Sequence, residues 1–125
     1  MSKILVIEDD ISVRSNITEL LTEEGFEIFE AENGKLGITL AKKIVPDLII
    51  SDILMPEING YEVLLELQRD ESTSSIPFIF LSALTDLSNI EKGLRNGADD
   101  YLTKPYKTKD LLNAVYSRLK KKEKD

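Results

Sequence analysis

Four short segments, far apart along the chain, each close a strand-like run with a group that phosphoryl chemistry uses. Glu8-Asp9-Asp10 follows Ile4–Ile7, and Asp52 follows Leu48–Ser51. Ser82 follows Phe78–Leu81, and Lys104-Pro105 follows Tyr101–Thr103. An aspartate of ordinary pKa, about 3.9, is ionised at neutral pH and attacks phosphorus without a general base. The obstacle is repulsion. Two carboxylates about 5 Å apart repel by roughly 3 kcal/mol at an effective dielectric near 20, and a phosphoryl donor brings further negative charge. A divalent cation held by Asp9 and Asp52, with Glu8 or Asp10 beside them, removes that repulsion and bridges to a phosphoryl oxygen. Lys104 neutralises a second oxygen, and the Ser82 hydroxyl with the backbone N–H groups after Asp52 binds the remainder.

Taken singly, each residue has a plainer reading. Asp10 serves equally well as a helix N-cap. Asp52 alone is a loop residue, Ser82 a turn hydroxyl, Lys104 a solvated lysine and Tyr101 edge-strand packing. Pro105 alone marks a turn, although a cis bond before it would fix the aim of Lys104. The ordered set at four strand ends, opened by two adjacent acids, is what carries the signal.

Parallel strands would bring these ends together. Strand-like runs begin near Lys3, Phe26, Asp47, Pro77 and Asp99 and alternate with helical stretches, which reads as βα units around a parallel sheet. Ile4–Ile7, Leu48–Ile50 and Phe78–Leu81 are continuously apolar, as strands buried on both faces are. Phe26–Ala31 mixes apolar and charged residues, and Asp99–Thr103 is short and polar, so these two belong at the edges. With right-handed crossovers the order is 2-1-3-4-5, a doubly wound, five-stranded α/β sheet of the flavodoxin-like (βα)5 type. Its switch point lies between the first and third strands, where Glu8, Asp9 and Asp52 sit. Val13, Ile17, Leu20 and Leu21 stripe the first helix, which stops at Gly25. Leu112, Val115 and Leu119 stripe the last, with lysines in its final turn. The stretch Asp86–Asn96 has Leu87, Ile90 and Leu94 as its stripe and Gly93 inside it, and should be the least stable helix.

The bulk properties narrow the chemistry further. The 125 residues suit one domain, read as residues 1–120 with a charged tail at 121–125. A net charge of −7 argues against nonspecific binding to nucleic acid or to an anionic membrane. No apolar run approaches the roughly 20 residues of a membrane span. Met1-Ser2-Lys3 leads directly into a strand without a signal peptide, so a cytoplasmic location is expected. The chain has no cysteine and no histidine, which excludes thiolate sites, serine–histidine triads and a phosphohistidine. Any metal site must be built from oxygen donors, favouring Mg²⁺, Mn²⁺ or Ca²⁺.

The segments Glu8-Asp9-Asp10, Ser51–Pro56, Asn59-Gly60, Leu81-Ser82-Ala83 and Gly97–Pro105 together resemble the CheY-like receiver domain of two-component response regulators. The resemblance covers essentially the whole chain. It implies that Asp52 accepts a phosphoryl group from a sensor histidine kinase or phosphotransfer protein. Glu8 and Asp9 would hold Mg²⁺, with Mn²⁺ as a substitute, and the Leu54 backbone carbonyl would complete the protein's ligands. Ser82, Ala83, Lys104 and Pro105 would surround the phosphoryl group, and Tyr101 would rotate inward with Ser82. The face formed by the fourth helix, fifth strand and fifth helix would meet a downstream target or an output domain. Such a protein is not a turnover enzyme, although it assists its own phosphorylation and dephosphorylation. Leu54 and Leu84, each two residues past a site residue, cannot orient a water, so the resemblance also implies a long-lived acyl phosphate.

Three other readings fit less well. A Mg²⁺-dependent aspartyl-phosphate hydrolase needs a second acid two residues after its nucleophile, where this chain has Leu54. A flavin mononucleotide carrier needs a Ser/Thr/Gly-rich phosphate loop where Glu8-Asp9-Asp10 stands. A non-phosphorylated pseudo-receiver would lack part of the constellation, and none is missing.

Overall fold

The computed structural model describes residues 1–84 and 87–124, apart from the side chains of residues 87 and 120–124. Asp86, the side chain of Leu87, the side chains of the 121–125 tail and the lysines closing the last helix therefore fall outside it.

Five strands and five helices alternate: β1 Lys3–Ile7, α1 Ile11–Glu23, β2 Glu27–Ala31, α2 Gly34–Ile44, β3 Leu48–Ser51, α3 Gly60–Gln68, β4 Phe78–Ser82, α4 Leu87–Arg95, β5 Asp100–Thr103 and α5 Thr108–Lys124. The sheet is parallel, in the order β2-β1-β3-β4-β5, as the edge and centre compositions require. Its two faces carry separate cores. Leu5, Ile7, Ile49, Phe78 and Phe80 pack with Ala41 of α2 and Val63, Leu64 and Leu67 of α3. On the other face Ile4, Val6, Leu48, Ile50, Ile79 and Leu81 meet Ile17 and Leu21 of α1 and Leu111, Ala114, Val115 and Leu119 of α5. The alternation of side chains along each strand makes this division.

Register does the rest. Ile7 pairs with Ser51, so Glu8 and Asp52 leave neighbouring strands side by side, about 4.8 Å apart across the ladder. Asp52 N–H still donates to the Ile7 carbonyl at 3.0 Å. At the other edge Ser82 pairs with Thr103, and Lys104 N–H donates to the Ser82 carbonyl at 2.8 Å.

The helices start where caps allow. Asp10 caps α1, its side chain accepting from Ser12 and Val13 N–H, and Asn59 with Glu62 forms a capping box on α3. α1 ends with Gly25 at φ 95°, as its sequence indicates. In α4, Leu94 is 44% exposed and is not a core residue. The helix meets the sheet instead through Gly93, where an added Cβ would lie 3.0 Å from Phe80 and 3.2 Å from Tyr101.

Candidate functional site

The carboxyl ends of β1, β3 and β5 converge on three charged groups. Lys104 Nζ lies 2.6 Å from Glu8 Oε1 and 3.1 Å from Asp52 Oδ2. Glu8 is 2% exposed and Asp52 7%, so both acids are largely removed from water. Such charges persist only when paired and hydrogen-bonded. The remaining atoms are satisfied accordingly. Asp52 Oδ1 accepts from Ile53 N–H at 2.7 Å and Leu54 N–H at 3.3 Å, while Glu8 Oε2 accepts from Asp10 N–H at 3.1 Å.

Burial pushes the Glu8 carboxyl up to about 7; the hydrogen bonds from Lys104 and Asp10 N–H oppose this, and the Asp52 charge reinforces it. For Lys104 burial alone would act downward, but the hydrogen bond to Glu8 and the charge of Asp52 outweigh it and raise its pKa. The ammonium is thus held protonated between two acids.

Glu8, Asp9 and Asp52 each offer a carboxylate oxygen, all within 4.8 Å of one another. An all-oxygen set with this negative charge fits a hard divalent cation, and Lys104 already shows that the corner attracts positive charge. Asp9 is exposed and borders a cleft of about 250 Å³ lined also by Glu32, Lys35, Pro56 and Glu57. Asp10 is brought close in the chain, and its Oδ1 caps α1, as one of its two sequence readings expects. Leu54 is 54% exposed above Asp52.

Ser82 is fully buried, and its Oγ accepts from Leu84 N–H at 3.3 Å. Tyr101 donates its hydroxyl proton to the Leu84 carbonyl at 2.8 Å and sets its ring edge-on to Phe80. Two of the expected site residues therefore bond the same residue, Leu84, at its N–H and at its carbonyl. Ala83 is exposed beside them, and the bond between Lys104 and Pro105 is cis.

Two contributors escaped the sequence reading. Arg14 of α1 donates from Nη1 to the Glu8 carbonyl at 2.7 Å and from Nε to Glu30 Oε1 at 3.3 Å. Its signal was a cation in the opening turns of a helix, where the dipole disfavours one. Gly60, noted only as part of a motif, opens α3 against the site, and a Cβ there would lie 2.3 Å from the Asp52 carbonyl oxygen. No sequence pattern reveals that approach.

Comparison with known proteins agrees with this geometry. Residues 4–116 match the family model described as the response regulator receiver domain. The chain is 36% identical over 121 residues to the DNA-binding dual master transcriptional regulator RpaA of Synechocystis sp., covering 97% of this chain and 50% of that protein. It is 37% identical over 121 residues to the DNA-binding response regulator MtrA of Mycolicibacterium smegmatis, covering 97% and 52%. The chain thus spans about half the length of these curated relatives. Among solved structures, the Francisella response regulator 1452 receiver domain superposes with a TM-score of 0.91 at 33% identity, covering 98% of this chain and 99% of that one. A receiver domain protein from Clostridium thermocellum gives 0.91 at 30% identity, with 98% of each chain covered.

Proposed function

The chain belongs to the response regulator receiver family, and from that membership we propose that Asp52 is its phosphoacceptor. An Asp52 carboxylate oxygen bonds to phosphorus as the donor's P–N or P–O bond breaks, leaving the histidine of a kinase or phosphotransfer protein, or acetate from acetyl phosphate. The observation that carries this is the carboxylate's setting. Asp52 is buried, fixed by two backbone N–H groups and paired with Lys104, and it sits in one oxygen cluster with Glu8 and Asp9. Glu8, Asp9, Asp52 and the Leu54 carbonyl would hold Mg²⁺, or Mn²⁺ in its place, and the ion would supply positive charge against the carboxylates and the phosphoryl oxygens. Lys104, released from Asp52, turns to a phosphoryl oxygen, with Ala83 and Pro105 bordering the group.

Ser82 then exchanges its bond with Leu84 for the phosphoryl group. Because Leu84 also accepts from Tyr101, that exchange reaches the ring on Phe80 and the loop leading to α4. The face of α4, β5 and α5 passes the change to a target protein or an output domain, and residues 1–120 act as the unit that does so, with 121–125 as its tail. Catalysis is confined to the domain's own modification. No described helix is long and apolar enough to cross a membrane, which accords with a cytoplasmic exchange with the kinase.

Incubation with Mg²⁺ and acetyl phosphate should add one phosphoryl group by intact mass, and Asp52→Asn should add none. No gain in the wild type, even from a phosphohistidine donor, would favour a pseudo-receiver. The exposed Leu54 and half-buried Leu84 should also prolong the acyl phosphate by excluding an oriented water. Leu54→Asn with Leu84→Glu should speed its decay about a hundredfold, the low end for supplying general acid–base help; an unchanged half-life would remove the role of the leucines.

A further inference from the structure

We infer that Arg14 is a positioning residue for the metal-binding acids, acting through the peptide that joins Glu8 to Asp9. The inference rests on the reading of Glu8, Asp9 and Asp52 as a Mg²⁺ site. Arg14 occupies the opening of α1, where the helix dipole repels a cation, and its side chain is only 14% exposed. Neither feature favours an arginine, so its two acceptors must hold it there. The planar fork spans the Glu8 carbonyl on one side and the Glu30 carboxylate at the end of β2 on the other.

The Glu8 carbonyl belongs to a rigid planar unit. Fixing its oxygen fixes the plane of that peptide, hence ψ of Glu8 and the position of the Asp9 N–Cα bond, about which the Asp9 side chain is set. Glu8 is also tied through its N–H, which donates to Ala31 at 3.0 Å, and through both carboxylate oxygens. Asp10 immediately beyond is tied to the helix. Asp9 is exposed and sits between these anchors, so the backbone decides where its carboxylate points. Among the described residues, Arg14 bonds the peptide on its N-terminal side.

Charge and geometry predict opposite outcomes for Mg²⁺ affinity. The guanidinium is a positive charge near three acids, and as a charge alone it would repel the ion. Its removal would then tighten binding. As a positioning group, its removal weakens binding, by about tenfold at the low end of what groups orienting metal ligands contribute.

The test is a Mg²⁺ titration of the unphosphorylated protein, followed through the backbone amide resonances of residues 8–10 and 52–54. Arg14→Met should raise the Mg²⁺ Kd about tenfold, with Arg14→Lys recovering little because it keeps the charge without the fork. Glu30→Gln, an exposed change that weakens the outer anchor from a charge-assisted to a neutral hydrogen bond, should raise it about twofold and keeps the test open if Arg14→Met does not fold. Asp9→Asn serves as the reference for a lost ligand. Affinity unchanged or tighter in both Arg14→Met and Glu30→Gln, with Asp9→Asn weakened, would overturn the role of Arg14 while leaving the metal site standing. A wild type that binds no Mg²⁺, or Asp9→Asn binding as well as wild type, would overturn the metal reading and the inference with it.

Discussion

The acid corner at β1 and β3 and the fourth helix are held by different kinds of contact. At the corner, Glu8 is bonded at its N–H, its carbonyl and both carboxylate oxygens, and Asp52 at its N–H and both carboxylate oxygens. The partners are mostly backbone or buried groups. Around α4 the holding atoms sit at the tips of long side chains. Tyr61 of α3 donates to the Asn89 carbonyl at 3.2 Å, and Gln68 donates to the Asn96 carbonyl at 2.8 Å. Lys92 lies 4.6 Å over the Tyr61 ring, and Gly93 is the buried residue at the sheet. Reactive groups need fixed geometry, whereas a responding element needs contacts that can be exchanged at small cost. This chain places the two on one sheet, where Gly60 beside the corner and Gly93 of α4 both approach Phe80, and the proposed switch joins them through Ser82, Leu84 and Tyr101.

The same substitution in each region should separate them most widely. At Gly60 the atom in the way of a Cβ is the Asp52 backbone, 2.3 Å off, which cannot yield without moving Asp52 itself. Gly60→Ala should cost 3 kcal/mol or more, toward the upper end for overpacking, and abolish phosphorylation by acetyl phosphate. At Gly93 the neighbours are ring atoms at 3.0 to 3.3 Å, and the helix can shift. Gly93→Ala should change stability by less than about 1 kcal/mol, because helix propensity gains about that much. Urea melts of both variants decide it. Equal losses would mean that α4 is packed as rigidly as the corner.

The next effect concerns charge. In the metal-free protein the Glu8 carboxyl stands at about 7 against an ordinary 4.5. Between those values the folded state binds the extra proton, so stability from this group is greatest below about pH 4.5 and falls as pH rises to about 7. The loss is of the order of 2 to 3 kcal/mol. Denaturant midpoints at pH 5 and pH 8 in chelator should show this fall for wild type and a flatter profile for Glu8→Gln. Substitutions on α4 should leave the profile alone. A Glu8→Gln profile as steep as wild type would place the titration elsewhere.

The two regions also differed in how far their sequences disclosed them. The corner was legible because it follows from strand register. Three apolar runs and one short polar one located β1, β3, β4 and β5 to within a residue, and a parallel order then forces Glu8, Asp52, Ser82 and Lys104 to one end. What stayed hidden is tertiary reach: Arg14 finding a carbonyl, or Gly60 touching one. The helices were read less well because a stripe can be drawn with steps of three or four. Leu111 and Ala114 are buried on α5, where the apolar spacing suggested Leu112, and Leu112 is half-buried. On α4, Leu94 looked like core only because Gly93, the residue that does face the sheet, has no side chain to count.

The smallest expected effect is the sharpest test of how α4 is held. Tyr61→Phe removes one hydroxyl and keeps the ring under Lys92 and against Phe80, and Gln68→Leu removes the bond to the end of the helix. Each bond is worth about 0.5 to 1 kcal/mol, so the double variant should lose little global stability. Amide hydrogen exchange across residues 90–95 should nevertheless quicken about fivefold or more, while β1 and β3 amides stay unchanged. Exchange rising equally in both regions would mean that α4 opens only with the whole domain. These contacts are made with Asp52 unmodified and paired to Lys104. Coupling is reciprocal at equilibrium: if phosphorylation draws α4 away from Tyr61 and Gln68, loosening them must favour the phosphorylated form, and the double variant should shift the phosphorylation equilibrium with a phosphohistidine donor a few-fold toward it. A variant with faster α4 exchange and an unchanged equilibrium would show that the helix moves independently of Asp52.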